Sequence, residues 1–196
     1  IVFEVCTDLG FEMTDAVHQS IVGSSHEATN QLLVEAYGVA FPYALFDEQC
    51  RAMMRQRLAD DVPVKVGVHE LLAELGARGI PAAVATSSRA PHAQRHLGQA
   101  GIIDLFQAVV TRDDVANPKP HPEPYLTAAA RLGVPPGDCL AIEDSHSGVR
   151  AAHAAGMQTV MVPDLVLPTD EIAALCAAVM ESLNEVHAAV FPRAAR

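Results

Sequence analysis

The sequence predicts an α/β protein in which a parallel sheet follows a helical segment. From about residue 65 onward, short apolar runs alternate with amphipathic helical patterns. Polar side chains follow three of these runs, whereas the first sixty residues show helical periodicity alone. Such alternation is typical of a parallel sheet covered by helices on both faces. We therefore divide the chain into a helical unit over residues 1–64 and an α/β core over residues 65–196.

The helical unit is predicted from the spacing of its apolar residues. The first helix covers the start of the chain, and its apolar face consists of Val2, Val5, Cys6 and Leu9. Ser24 and Glu27 form a capping-box pattern ahead of a second helix, which ends near Gly38. A further helix runs from about residue 44 to residue 58 and carries Arg51 and Arg55.

The α/β core is predicted from four short apolar runs and the helices between them. The predicted strands cover residues 80–86, 106–111, 139–144 and 158–163. Glycines mark the ends of several intervening helices. After the last strand we predict one final helix, because apolar residues recur there at helical spacing. Those residues are Ile172, Leu175, Cys176, Val179 and Leu183.

Composition and charge argue against several classes of protein. The formal net charge is −11 and no run of Lys or Arg occurs, so we expect neither a nucleic-acid partner nor a membrane surface. The four cysteines are widely spaced, which favours reduced thiols in a cytoplasmic protein. We expect a monomer or a small homo-oligomer. A small anionic substrate stays compatible, because one lysine in a pocket can hold a phosphate at any net charge.

Thr86 and Ser87 stand at the end of the first predicted strand. In parallel sheets, active sites lie beyond the carboxyl ends of the strands. A hydroxyl and free backbone amides at this position suit a phosphoryl oxygen. The same residues could instead cap the helix that begins near Pro91.

Two further polar segments follow later strands. Lys119 stands between prolines in NPKPHPEPY (117–125), a stiff segment that would aim its ammonium into a cleft, unless it is an exposed loop lysine. Glu143 and Asp144 end the strand at 139–144, and their oxygens suit Mg²⁺. Alternatively, Asp144 or Ser145 caps the next helix while Glu143 is solvated.

The order of these segments at successive strand ends is more specific than any one of them. On these residues the chain resembles the haloacid dehalogenase (HAD) superfamily, and within it the phosphatases related to β-phosphoglucomutase. VATSS (84–88) resembles the second motif of the family, NPKPHPEPY the third, and AIEDSHSGVRAAHAAGM (141–157) the fourth. The resemblance implies a Rossmann-like core with a small α-helical cap domain, which would be residues 1–64.

The resemblance also implies a Mg²⁺-dependent hydrolase that acts on a small phosphorylated metabolite, with a sugar phosphate in first place. In the family, an aspartate on the first strand forms an aspartyl-phosphate, and a second aspartate two residues later is general acid and base. Thr86 would hold a phosphoryl oxygen with help from the Ser87 amide, and Lys119 would neutralise the nucleophile and the phosphoryl group. Asp144 would bind Mg²⁺ directly, and Glu143 directly or through water.

The DxDG motif that carries the family's nucleophile does not occur in this sequence. Glu4 and Asp8 lie near a glycine, but no strand pattern precedes them and their neighbours repeat like a helix face. We expect the missing strand to lie ahead of Ile1, within about 15–25 further residues. We expect the 196-residue chain alone to be inactive.

The segment IVGSSHEATNQL (21–32) resembles the part of the cap that faces the substrate in the family. The candidate cap residues are Ser24, His26, Asn30, Arg51 and Arg55. A β-phosphoglucomutase-like mutase is the first alternative. The family's mutases have Arg for a second phosphate where this chain has His26, although Arg51 or Arg55 could reach inward instead. A dehalogenase would need no Mg²⁺ and would leave the paired acids unexplained. A non-catalytic phosphate-binding fragment is the remaining alternative.

Overall fold

The structure is a computed structural model that describes residues 1–59 and 62–192. Asp60 and Asp61, at the predicted boundary between the two units, lie outside the described residues, as do residues 193–196. Within the part of the chain that is described, no helix combines the length and the apolar character needed to cross a membrane.

Four helices build the first part of the chain and pack around an apolar cluster of their own. They are α1 (Val2–Asp8), α2 (Asp15–Ile21), α3 (His26–Tyr37) and α4 (Tyr43–Arg57). The buried residues of this cluster include Val5, Cys6, Leu33, Phe41 and Phe46. These helices therefore have an apolar core of their own, distinct from that of the sheet. Burial of apolar surface is the main stabilising contribution to folding.

The first helix confirms that Glu4 and Asp8 do not form a strand-end motif. Both lie on α1, and the Glu4 carboxylate pairs with the Arg57 guanidinium at 2.8 Å (Oε2 to Nη2). Neither residue lines a cavity described below.

The start of α3 differs by one residue from the predicted capping box. Ser25, and not Ser24, is the N-cap, and its Oγ accepts a hydrogen bond from the Ala28 amide at 3.2 Å. Ser25 is fully buried, so water does not compete for this hydroxyl. The Glu27 carboxylate pairs instead with Arg89 and Arg112 of the α/β core.

The α/β core alternates strands and helices in the predicted order. Its helices are α5 (Val68–Ala77), α6 (Ala90–Gln99), α7 (Glu123–Leu132), α8 (His146–Ala154), α9 (Asp170–Ala174) and α10 (Leu183–Val190). Its strands are β1 (Ala83–Ala85), β2 (Ala108–Val110), β3 (Leu140–Glu143), β4 (Gln158–Met161) and β5 (Ala178–Val179). All strand pairs are parallel, and each predicted strand contains an observed one, so the α/β fold class is confirmed.

The prediction of one final helix is wrong. Ile172 lies in α9, Val179 in β5 and Leu183 in α10, whereas Leu175 and Cys176 follow the end of α9. Hydroxyl side chains cap the start of both helices. Between them, the Ala177 amide donates to the Thr159 carbonyl at 2.7 Å, and the Met180 amide donates to the Met161 carbonyl at 2.9 Å. The edge of β4 offers backbone groups that need partners, and this pairing overrides the helical spacing of the side chains.

The five strands form two separate half-sheets, with the orders β1-β2 and β3-β4-β5. The facing edges of β1 and β3 pair with no strand of the described chain. A cavity of about 930 Å³, which we call the slot, lies between them and is lined on its two sides by residues such as Val84, Ala85, Ala141 and Ile142. Two unpaired parallel edges that flank an apolar cavity match the position of a further strand.

Candidate active site

Lys119 crosses the mouth of the slot. Its side chain is only 7% exposed, and Nζ donates to the Ala85 carbonyl at 3.0 Å and to the Glu143 carboxylate. Ala85 ends β1 and Glu143 ends β3, so one ammonium links the carboxyl ends of the two half-sheets. The alternative of an exposed loop lysine is therefore wrong.

Glu123 holds the loop that presents Lys119. Its carboxylate accepts hydrogen bonds from the Ala116 amide at 2.8 Å and from the Asn117 amide at 2.9 Å. The Asn117 side chain donates a third, at 2.8 Å. These donors lower the pKa of Glu123, because they favour its charged form. These hydrogen bonds fix residues 116 and 117 of the loop, although the loop is not part of the sheet.

The Glu143 carboxylate is the acceptor on which several buried donors converge. It accepts from Lys119, from the Tyr125 phenol, and from Ser145 Oγ at 3.0 Å. Burial acts to raise the pKa of Glu143, but the Lys119 charge and these hydrogen bonds hold it below its ordinary value. Burial and the Glu143 charge raise the pKa of Tyr125, so the phenol keeps its proton and remains a donor. A solvated Glu143 is excluded.

Gly148 leaves open the space that the Glu143 carboxylate occupies. A Cβ at position 148, in the first turn of α8, would lie 2.0 Å from Glu143 Oε2. We expect Gly148→Ala to displace the carboxylate from Lys119 and to destabilise the fold by about 1–3 kcal/mol. Urea denaturation measures this change.

A matched control is Gly98→Ala in α6, where an added Cβ meets no atom within 4 Å. Alanine is the better helix former, so we expect this variant to keep or raise the free energy of unfolding, by up to about 1 kcal/mol. Similar stabilities of the two variants would contradict the role given to Gly148.

Asp144 is the solvent-exposed carboxylate of the site. It is exposed at the mouth of the slot, where partial loss of hydration and the Glu143 charge raise the pKa of Asp144. Ser145, and not Asp144, caps α8, since its Oγ accepts from the Gly148 amide at 3.1 Å. The oxygens of Asp144 therefore remain available.

The donor set fits Mg²⁺ in part. Among the described residues, no three or more His, Cys, Asp or Glu side chains come together as a metal cage. Mg²⁺ needs only one or two carboxylates and keeps several waters, so Asp144 suits it as a direct ligand. The Glu143 oxygens are already engaged by Lys119, Tyr125 and Ser145, which favours an indirect role for Glu143.

Thr86 and Ser87 lie at the same edge, at the carboxyl end of β1. Thr86 Oγ1 accepts a hydrogen bond from the Ser88 amide at 3.1 Å, and Ser87 Oγ donates to the Gly23 carbonyl at 3.0 Å. Neither residue caps α6, whose N-cap is Arg89 without a side-chain hydrogen bond, so the capping alternative is wrong. All five predicted core residues line the slot: Thr86, Ser87, Lys119, Glu143 and Asp144.

The candidate cap residues differ in whether they line a cavity. Ser24 lines the slot and also a second cavity of about 360 Å³ between cap and core, which Lys119 lines as well. Asn30 and Arg55 are exposed on α3 and α4 and line neither cavity.

His26 and Arg51 contact each other inside the cap. Arg51 Nη2 lies 3.1 Å from His26 Nδ1, and Arg51 Nε pairs with the Asp47 carboxylate at 2.8 Å. The Tyr43 phenol donates to the His26 carbonyl at 2.8 Å. These contacts hold the Arg51 charge beside Asp47, and neither His26 nor Arg51 lines a described cavity.

Tyr125 is the site residue that the sequence pattern does not reveal. It lies on the buried face of α7 with Ala128 and Ala129, so its spacing indicates an ordinary core position. The available signal is chemical, because a buried phenol normally needs a hydrogen-bond partner. The sequence alone does not identify that partner as Glu143.

The chain is similar to known proteins in sequence and in fold. The family model for haloacid dehalogenase-like hydrolases matches residues 2–162. The chain is 36% identical over 154 residues to the probable pseudouridine-5'-phosphatase of Drosophila melanogaster, covering 76% of this chain and 66% of that protein. It is 39% identical over 121 residues to the fructose-1-phosphate phosphatase YqaB of Escherichia coli (strain K12), covering 62% and 63%. The match thus spans less than two thirds of the length of these relatives.

The fold is also that of solved structures. The crystal structure of β-phosphoglucomutase from Clostridium difficile superimposes with a TM-score of 0.76 at 22% identity, covering 94% of this chain and 82% of that one. At this identity the likeness concerns the fold alone. The family model, in contrast, matches the sequence across both the helical unit and most of the core, and so the chain belongs to the haloacid dehalogenase-like hydrolases.

Proposed function

We propose that the whole protein is a Mg²⁺-dependent phosphatase that hydrolyses a small phosphorylated metabolite, with sugar phosphates as the first class to test. The observation that carries this proposal is the convergence of Thr86, Lys119 and Asp144 at the mouth of the slot. Phosphoryl transfer depends on positive charge and on donors placed around the phosphoryl oxygens. Lys119, the Thr86 hydroxyl and the Ser87 amide supply both. The phosphatase names of the relatives support the same chemistry.

The nucleophile in this proposal is an aspartate on a further strand that fills the slot. That strand pairs with the facing edges of β1 and β3 and ends beside Lys119. A carboxylate oxygen attacks phosphorus while the bond from phosphorus to the ester oxygen breaks, and the departing oxygen takes a proton from a second aspartate two residues later. The second aspartate, now a carboxylate, takes a proton from a water molecule that attacks the phosphorus of the aspartyl-phosphate. The bond from phosphorus to the first aspartate breaks, which releases inorganic phosphate and restores both aspartates.

The residues of this chain orient and neutralise the reacting groups. Lys119 faces the negative charge of the nucleophile and the phosphoryl group, and Glu143 with Tyr125 fixes the position of the Lys119 ammonium. Thr86 accepts from the Ser88 amide, which leaves its own O–H to donate to a phosphoryl oxygen. Mg²⁺ held by Asp144 would supply a second positive charge at the phosphoryl oxygens.

The second cavity supports a hydroxyl-rich leaving group. It shares the lining residues Lys119 and Ser24 with the slot, and its volume of about 360 Å³ lies at the small end of the range for ligand pockets. Polar side chains from both domains line it, including Gln31 and Glu35 of the cap and His146 of the core. Among the described residues, no Phe, Tyr or Trp lines this cavity.

A β-phosphoglucomutase-like mutase is the weaker candidate. It must hold a second phosphate in the cap, but the candidate cap arginines, Arg51 and Arg55, line neither cavity, and the Arg51 guanidinium already pairs with Asp47. Sustained conversion of β-glucose 1-phosphate would overturn this ranking. Turnover that survives a chelator would favour dehalogenase-type chemistry, and phosphate binding without turnover would favour a binding role.

The proposal is tested by comparing the product of the whole gene with the 196-residue chain. We expect the whole product to hydrolyse p-nitrophenyl phosphate and sugar phosphates with Mg²⁺ and to stop with EDTA. The 196-residue chain should be slower by at least ~1,000-fold, because it does not contain the nucleophilic aspartate of the proposed strand. The intact mass, compared with 20.8 kDa, shows whether a preceding strand is present. Equal activity of the two proteins would refute the assignment of the nucleophile.

A further inference from the structure

The Gly23 carbonyl is the point at which the cap touches both halves of the site. Its oxygen accepts hydrogen bonds from Ser87 Oγ at 3.0 Å and from Ser147 Oγ at 2.9 Å. Ser87 follows β1, whereas Ser147 lies in the first turn of α8, directly after β3. One acceptor of the cap therefore binds hydroxyls from two half-sheets that share no strand pairing among the described residues.

Glycine is the residue that fits this contact. Gly23 has a φ of +74°, in the left-handed region that side chains disfavour. An added Cβ would lie 2.4 Å from both Cβ and Oγ of Ser145. The absence of a side chain thus lets the cap backbone approach the loop that carries Asp144.

Ion pairs form a second connection between cap and core. The Glu27 carboxylate pairs with Arg89 Nη2 at 3.4 Å and with Arg112 Nε at 3.2 Å. The Glu27 and Arg89 side chains are about half exposed, so their pairing is worth little and depends only weakly on geometry. The hydroxyl contacts at Gly23, at 3.0 and 2.9 Å, depend on distance and direction, so they respond to small shifts of the two loops.

We propose that Ser147 is a positioning residue which, together with Ser87, couples closure of the cap to the spacing of the two active-site loops. The inference rests on the proposed function, in which the Ser87 loop holds the phosphoryl group and the Asp144 loop holds Mg²⁺. A carbonyl oxygen has two lone pairs, and both hydroxyls reach it only when the loops stand at the separation seen here. Closure is therefore favoured when both loops are in place and disfavoured when either one shifts.

The test uses Ser147→Ala in the whole-gene product. Hydrogen exchange of residues 21–26 is followed with inorganic phosphate, with Mg²⁺, and with both. The wild-type protein should gain protection there chiefly when both are added. In Ser147→Ala we expect that gain to fall about fivefold, the factor that one neutral hydrogen bond is worth. In turnover assays, KM should rise by a similar factor while kcat changes by less than about twofold.

Two further variants separate positioning from stability. Ser147→Thr keeps the hydroxyl and should restore both the protection and KM. Ser182→Ala removes the N-cap serine of α10. It therefore also loses one hydroxyl contact, but at a position that does not contact the cap domain.

Each outcome bears on the inference. The inference would be overturned if Ser147→Ala had the same hydrogen exchange and KM as the wild-type protein, or if Ser182→Ala changed both as much as Ser147→Ala does. It would also be overturned if the wild-type protein gained no protection with phosphate and Mg²⁺. The exchange measurement needs no turnover. A wild-type protein that closes with phosphate and Mg²⁺ but hydrolyses nothing would count against the phosphatase proposal alone.

Discussion

Replacing Lys119 with methionine should destabilise the protein by about 3–5 kcal/mol and abolish turnover. The side chains of Lys119 and Glu143 are 7% and 6% exposed and face each other across the mouth of the slot. Methionine keeps most of the apolar stem, so the variant removes a charge more than it creates a cavity. The Glu143 carboxylate is then buried without a compensating cation, and an uncompensated buried charge strongly destabilises a protein. Urea denaturation measures the loss.

The double variant Lys119→Met/Glu143→Gln separates the structural role of this pair from its chemical role. Removing both charges should restore most of the stability, because the amide oxygen still accepts from Tyr125 and the amide N–H can donate to Ser145 Oγ. Turnover should stay lost, because no cation faces the phosphoryl group. Lys65→Met is the control, since Lys65 forms an exposed pair with Asp164 and should change stability by only about 0.5 kcal/mol. A Lys119→Met protein as stable as the wild type would refute the buried pair.

The pair also predicts a dependence of stability on pH. The pKa of Glu143 is lower in the folded protein than its ordinary value. Its contribution to stability is therefore complete above that ordinary value and is lost as the pH falls through the folded-state pKa. Glu143→Gln should flatten this acid-side decline in a series of urea titrations.

The sequence could predict the strands and the edge of the sheet where the site lies. Each of the four predicted strands is an apolar run, and three of them are followed by residues that suit phosphate or a metal. Parallel strands bring their carboxyl ends to one edge, so Thr86, Lys119 and Asp144 could be placed together without knowledge of distances.

The remaining features depend on contacts between distant segments. Val179 fits a helical pattern, yet it lies in β5 because the edge of β4 needs backbone partners. The burial of Glu143 depends on Tyr125, 18 positions earlier, and on the absence of a side chain at Gly148. Ser87 and Ser147 meet at Gly23 only once the cap and both half-sheets have packed together. Periodicity along the chain carries no information on such partners.

Asp144→Asn should lower turnover at least ~100-fold while leaving the fold nearly unchanged. Asparagine keeps the size of the side chain, and Asp144 is exposed at the mouth of the slot, so we expect stability to change by no more than about 0.5 kcal/mol. The lost charge instead weakens Mg²⁺ binding, which calorimetry in the presence of inorganic phosphate measures without turnover.

The control for this variant is Asp164→Asn, which removes another exposed carboxylate near the site and should affect turnover only modestly. Near-normal turnover in Asp144→Asn would refute its assignment as a metal ligand. Glu143 and Asp144 are adjacent in sequence but differ in surroundings, since one accepts buried donors and the other faces the open mouth of the slot. Neutralising Glu143 should therefore act first on the fold and the position of Lys119, whereas neutralising Asp144 should act on metal binding and the chemical step.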